Sequence, residues 1–139
     1  MNQNSPLTKD LLKKEVERIF KNKNRVRKYI EIENKSTSVS RILFMPTNGS
    51  GLGHVTRTLA VARRIKQMYP NIEIIFFTTN FAINIIRQEG FLAYYFPSIN
   101  LYSSNINHKD IDNAMEEQLI AIVKRHNIDT LIFDGVFPY

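Results

Sequence analysis

Cysteine is absent from the 139 residues, which excludes disulfide bonds, thiolate metal sites such as zinc fingers and any cysteine nucleophile. There is no run of about 18 or more uncharged apolar residues, the length that a membrane-spanning helix requires. The polar opening MNQNSPLTKD lacks the apolar segment of a secretory signal, so a cytoplasmic location is expected. Internal repeats and low-complexity tracts are missing as well. The 43% of hydrophobic residues against 23% charged suffices for roughly one globular domain and is too apolar for a chain dominated by disorder. Glycine is scarce enough for its placement to be informative: there are five in all, and Gly49, Gly51 and Gly53 fall together.

The net charge of +6 is held unevenly. Residues 1–35 carry ten Lys and Arg against five Asp and Glu, whereas residues 36–139 carry nine against eight, so the body is nearly neutral. The basic residues are not interleaved with a platform of aromatics, and nucleic acid is not an expected partner. Ser5 and Pro6 form a plausible helix start. Leu7, Leu11, Leu12, Val16, Ile19 and Phe20 then recur at helical spacing among Lys9, Lys13, Lys14, Arg18 and Lys21. Such a basic amphipathic helix can lie peripherally on an anionic membrane or pack on its own domain. Val26, Lys28, Ile30 and Ile32 share one parity, a weak strand signal that runs into a Ser/Thr-rich linker. A boundary near Ser38 divides a helical leader, residues 1–37, from a domain, residues 38–139.

Beyond that boundary, apolar runs and helical periods alternate. RILFMP from Arg41 reads as a buried strand; Val55, Leu59, Ala62, Ile65 and Tyr69 follow at helical spacing until Pro70 and Asn71 stop the helix. IEIIFFTT is a second, nearly continuous strand. A helix over 80–89 ended by Gly90, a strand in FLAYYFP, a polar loop, a helix over 110–126 and a last strand in DTLIFDG complete the series. The alternation predicts an α/β fold with right-handed crossovers and a doubly wound, Rossmann-like parallel sheet.

The glycine cluster directly follows the first strand. Glycine is needed where the backbone takes a positive φ or must approach another group closely, and the amides of a strand-to-helix turn commonly receive phosphate. A tight turn without a ligand is the plainer alternative. The triphosphate loop requires lysine and Ser/Thr after its last glycine, but His54 and Val55 stand there. The dinucleotide fingerprint fails at its sixth position, again His54, and no acid ends the second strand, which runs into Thr78, Thr79 and Asn80. His54 lies where the helix begins, and the positive end of the helix dipole favours the neutral imidazole that a general base requires. Asp134, ending the fourth strand on the same sheet edge, is placed to orient its other nitrogen, although both residues have structural alternatives as a helix-start and a turn residue.

NGSGLGHVTRTLAVARRI followed by IIFFTT resembles the amino-terminal domain of GT-B fold glycosyltransferases over residues 41–139. The likeness is nearest to the branch that adds N-acetylglucosamine to the lipid-linked peptidoglycan precursor. Gly53, His54, Val55 and Arg57 also match a pattern in the related UDP-sugar hydrolase of pseudaminic acid synthesis. The resemblance implies inverting sugar transfer from a nucleotide-sugar donor, of the UDP type, to a carbohydrate or lipid-linked acceptor in cell-envelope or polysaccharide synthesis. It makes His54 and Asp134 the catalytic pair and requires no metal or cofactor. It assigns phosphate and substrate contacts to Asn48, Gly49, Ser50, Gly51, Leu52 and Gly53, with Thr56 and Arg57; Arg57 also reads as an ordinary surface residue of the helix. The donor is held mainly by a second domain in this family, so the chain, which stops at Phe137-Pro138-Tyr139, is expected to be an inactive fragment.

Two alternatives accompany this reading: a nucleotide-sugar hydrolase in which the same histidine activates water, and a non-catalytic binding module. Asp110-Ile111-Asp112 has the D-x-D form of metal-dependent sugar transferases of another fold, but both acids are expected to cap a helix start. His108 and His126 read as loop and helix-end residues, and Tyr94, Tyr95 and Phe96 as core or rim aromatics.

Overall fold

Isoleucine, leucine and phenylalanine fill four short strands, β1 (Arg41–Thr47), β2 (Glu73–Thr78), β3 (Leu92–Tyr95) and β4 (Thr130–Gly135). All pairings are parallel, in the order β3-β2-β1-β4. They are seen in a computed structural model that describes residues 5–19, 38–47, 51–102 and 104–135, the side chains of Glu17 and Ile19 excepted. The strand reading of residues 26–32, Phe20, and the loop residues Asn48, Gly49 and Ser50 lie outside this set.

Parallel neighbours need crossovers, and helices provide them: α2 (Gly53–Met68) joins β1 to β2, α3 (Ile83–Gln88) joins β2 to β3, and α4 (His108–His126) joins β3 to β4. An additional helix, α1 (Lys9–Ile19), precedes the sheet. Alternation along the strands divides the core into two layers. Ile42, Phe44, Ile74, Phe76 and Ile132 pack with Val55, Leu59, Ala62, Ile65 and Ile86 of α2 and α3. Leu43, Met45, Ile75, Phe77, Leu131 and Phe133 pack with Ile111 and Ile122 of α4. The sheet is thus covered on both faces, an α/β Rossmann-like arrangement, which is why its strands read as continuous apolar runs.

Several boundaries differ from the sequence expectation. The helix expected from Asn80 starts only at Ile83, because the Asn80 side chain accepts a bond from the Ala82 amide in a turn. Gly90 ends that helix with φ 83°, a left-handed conformation that suits glycine. The helix α4 begins at His108, not Asp110, and its cap is Asn107, whose side chain accepts from the Lys109 amide at 3.0 Å. Asp110 therefore lies within the first turn and neither acid of the D-x-D sequence is the cap.

The leader helix joins the core. Leu7, Leu12 and Val16 are buried in the layer containing α2, and the Val39 amide donates to the Leu7 carbonyl at 2.8 Å. Glu15 lies 3.0 Å from Arg18 and 3.7 Å from Arg64 of α2. Leu7, Leu12 and Val16 of the apolar stripe are thus taken up by the domain itself, whereas Leu11 is exposed. The neighbouring Arg63 of α2 pairs with Glu89. The guanidinium's hydrogen bond holds the Glu89 carboxyl below its ordinary pKa, although so exposed a pair contributes little to stability.

Candidate active site

Buried polar side chains gather at one edge of the sheet. Apart from Thr58, whose hydroxyl donates to helix carbonyls, the buried polar residues among those described are Thr47, Thr78, Thr79, Asn80, Ser98 and Asp134. All lie at the carboxyl ends of strands or just beyond. The chain winds from β1 outward to β2 and β3, then returns to place β4 on the other side of β1. The crevice between the carboxyl ends of β1 and β4 is therefore the point where strand order reverses, the usual ligand position in such sheets.

Local pairing shapes that crevice. Pro46 and Thr47 are in register with Asp134 and Gly135, whereas Cα pairing of β1 with β2 runs only to Phe44 and Phe76. Past that point the Thr78 hydroxyl donates to the Pro46 carbonyl at 2.9 Å, so proline sits where the ladder with β2 has ended. A Cβ at Gly135 would lie 1.9 Å from Thr47 Oγ1 and 2.6 Å from its carbonyl oxygen. Glycine is required there for β4 to approach β1 immediately after Asp134.

His54, the second residue of α2, meets Asp134 across this crevice: Nδ1 is 3.1 Å from Oδ1. Asp134 is only 6% exposed. Arg57, one helical turn beyond His54, reaches the same carboxylate with both arms of its fork. Its Nε donates to Oδ2 at 3.2 Å and its Nη2 to Oδ1 at 3.1 Å, a bidentate pair of the strong kind. The same Nη2 is 3.0 Å from His54 Nδ1. The sequence reading gave Arg57 to phosphate or to the surface; its guanidinium lies on Asp134 and against the histidine, with 34% of the side chain in solvent.

The loop before α2 combines open backbone with a firm anchor. Leu52 occupies the N-cap position, where its side chain offers no oxygen, and the first turn has no acidic residue. Among the described residues, a Cβ at Gly53 would meet nothing within 4 Å. Thr56 turns its hydroxyl back to the carbonyls of Leu52 and Gly53 at 3.0 and 3.1 Å. Asn80, which the sequence reading passed over as a helix start, anchors the loop: its Nδ2 donates to the Gly51 carbonyl at 2.9 Å and its amide donates to Thr78 Oγ1 at 3.0 Å. A polar amide directly after a buried strand was the available signal. Leu52, Phe81, Leu101 and Ile106 are exposed on the loops following β1, β2 and β3.

The other candidates are distributed elsewhere. His126 ends α4 at the opposite edge, with Nε2 2.8 Å from the Tyr94 hydroxyl and Nδ1 3.6 Å from Glu73. His108 opens α4 on the surface. Among the described residues no group of three His, Asp or Glu side chains could hold a metal ion, and no helix is long and apolar enough to cross a membrane. No family model, curated protein or solved structure matches the chain at a significant level.

Proposed function

We propose that this chain is the acceptor-side part of an inverting glycosyltransferase that moves a sugar from a UDP-type donor to an acceptor hydroxyl in cell-envelope or polysaccharide synthesis. The supporting observation is the 3.1 Å approach of His54 Nδ1 to Asp134 at the reversal point of the sheet. With Nδ1–H held by that carboxylate, Nε2 accepts the acceptor proton as the acceptor oxygen bonds to the anomeric carbon. The bond from that carbon to the nucleotide diphosphate breaks, and the diphosphate leaves with the electron pair. Arg57 and the amides at the start of α2 stabilise phosphate charge in this scheme. A donor-binding domain completes the enzyme, and the exposed Leu52, Phe81 and Leu101 lie on the edge that it or the acceptor would cover.

The test is turnover of UDP-sugars by the full-length protein with and without acceptors. His54→Ala should lower turnover by about a hundredfold or more, and unchanged turnover would remove the base from the scheme. Release of free sugar that is independent of any acceptor would replace the transferase reading by a hydrolase.

A further inference from the structure

His54 Nδ1 faces two groups that cannot both bond to it. Arg57 Nη2, at 3.0 Å, can only donate and therefore requires a lone pair on Nδ1. Asp134 Oδ1, at 3.1 Å, can only accept while ionised and therefore requires a proton there. In a neutral imidazole the choice at Nδ1 fixes the other nitrogen. With Arg57 donating, Nε2 carries the hydrogen and is a donor; with Asp134 accepting, Nε2 carries the lone pair and is a base.

We propose that Arg57 is a positioning residue that selects the tautomer of His54, and that a diphosphate group drawing Nη2 away converts the ring from its resting to its working form. This rests on the reading of His54 as the base. The exchange conserves the bonding of the buried carboxylate. In the resting form Arg57 donates to both oxygens, through Nη2 to Oδ1 and Nε to Oδ2. In the working form Nε stays on Oδ2 while the His54 Nδ1–H replaces Nη2 on Oδ1. The ring takes one proton from water at Nδ1 and returns one from Nε2, so its charge is unchanged. The freed Nη2 hydrogens bond the diphosphate oxygens, a geometry suited to guanidinium. Base formation is thereby linked to occupancy, because the arginine that suppresses the working tautomer is the one that an anion engages.

Nitrogen-15 spectra of the histidine rings in the full-length protein test this, since pyridine-type and pyrrole-type nitrogens are distinguished directly, with His54 assigned by its absence from His54→Gln. The expected result without ligand is a pyridine-type Nδ1 and a pyrrole-type Nε2. Inorganic pyrophosphate should reverse the two, and Arg57→Met should show the reversed pattern without ligand. UDP and farnesyl diphosphate, compared in the same titration, identify whether donor or lipid-linked acceptor supplies the diphosphate by which reverses the ring at lower concentration. A pyrrole-type Nδ1 in the ligand-free protein overturns the proposal, as does a ring unaltered by all three diphosphates. If Arg57→Met does not fold, the ligand-free spectrum of the unaltered protein still decides. An unswitched ring with turnover sensitive to His54→Ala rejects the switch and leaves the base; a switching ring with insensitive turnover rejects the base.

Discussion

Arg57 and Asp134 are unequal partners, and removing each should have an unequal cost. Arg57→Met keeps the aliphatic stem but strips two charge-assisted hydrogen bonds from a carboxylate that is 6% exposed. Loss of one partner from a fully buried pair costs about 3–5 kcal/mol. Two features reduce that here: 34% of the Arg57 side chain remains in solvent, and His54 Nδ1 stands 3.1 Å from the carboxylate and can replace one donor. The expected loss is about 2–3 kcal/mol. Asp134→Asn retains a carbonyl oxygen and leaves a guanidinium that can hydrate, so its expected loss is about 1 kcal/mol. The double variant buries no unpaired charge and should lose about 2 kcal/mol, less than the sum of the singles. Urea unfolding measures all three; with a slope of about 1–3 kcal/mol/M, the Arg57→Met midpoint should fall by about 1 M. An Asp134→Asn loss equal to or greater than that of Arg57→Met, or simple additivity, would refute the view that the buried carboxylate is the costly member.

Three further outcomes follow from the packing around this corner. Gly53→Ala should leave stability unchanged or raise it by up to about 1 kcal/mol, because the added Cβ meets none of the described residues and the position is helical, while calorimetry should show pyrophosphate binding weakened about tenfold or more; unchanged affinity would show that the phosphate does not approach this glycine. Asn80→Ala removes the bonds to Gly51 and Ala82, should cost about 1–3 kcal/mol, and should speed amide exchange in residues 51–54; unaltered exchange there would mean that the loop is held by other contacts. Leu12→Ala should cost about 2–4 kcal/mol, as a buried leucine in the main core does; a loss below about 0.5 kcal/mol would place α1 outside the cooperative unit.

Periodicity made the sheet readable, because a strand covered on both faces and a helix covered on one leave different apolar patterns in RILFMP and in Val55, Leu59, Ala62 and Ile65. The nearness of His54 and Asp134 was readable for a topological reason: Asp134 lies at the carboxyl end of β4, His54 opens the helix that follows β1, and parallel strands put all such ends on one edge. What could not be read was which partner each polar side chain would take. Arg57 carries the same helical spacing whether it points to solvent or to Asp134, and only the β1–β4 register decides. Asn80 was read as the first residue of a helix because an asparagine that opens a helix and one that reaches back to another loop have the same local sequence. The leader allowed two placements, and burial of Leu7, Leu12 and Val16 on α2 is tertiary information that an amphipathic stripe does not contain.

The three-residue spacing of His54 and Arg57 gives the two residues separable consequences. Residues i and i+3 on a helix share a face, so a carboxylate that reaches one is within range of the other, and Asp134 meets both. His54→Ala leaves the buried carboxylate with both arms of the Arg57 fork, and removes a ring that is itself mostly buried but apolar on its faces. Its cost to stability should therefore stay near about 1 kcal/mol, well below that of Arg57→Met. A His54→Ala protein that unfolds at nearly the urea concentration of the unaltered one, yet has lost about a hundredfold or more of its turnover, has lost a proton acceptor and not a fold. Were His54→Ala to destabilise as much as Arg57→Met, the histidine would be a structural member of the carboxylate pair, and loss of turnover could no longer be assigned to its chemistry.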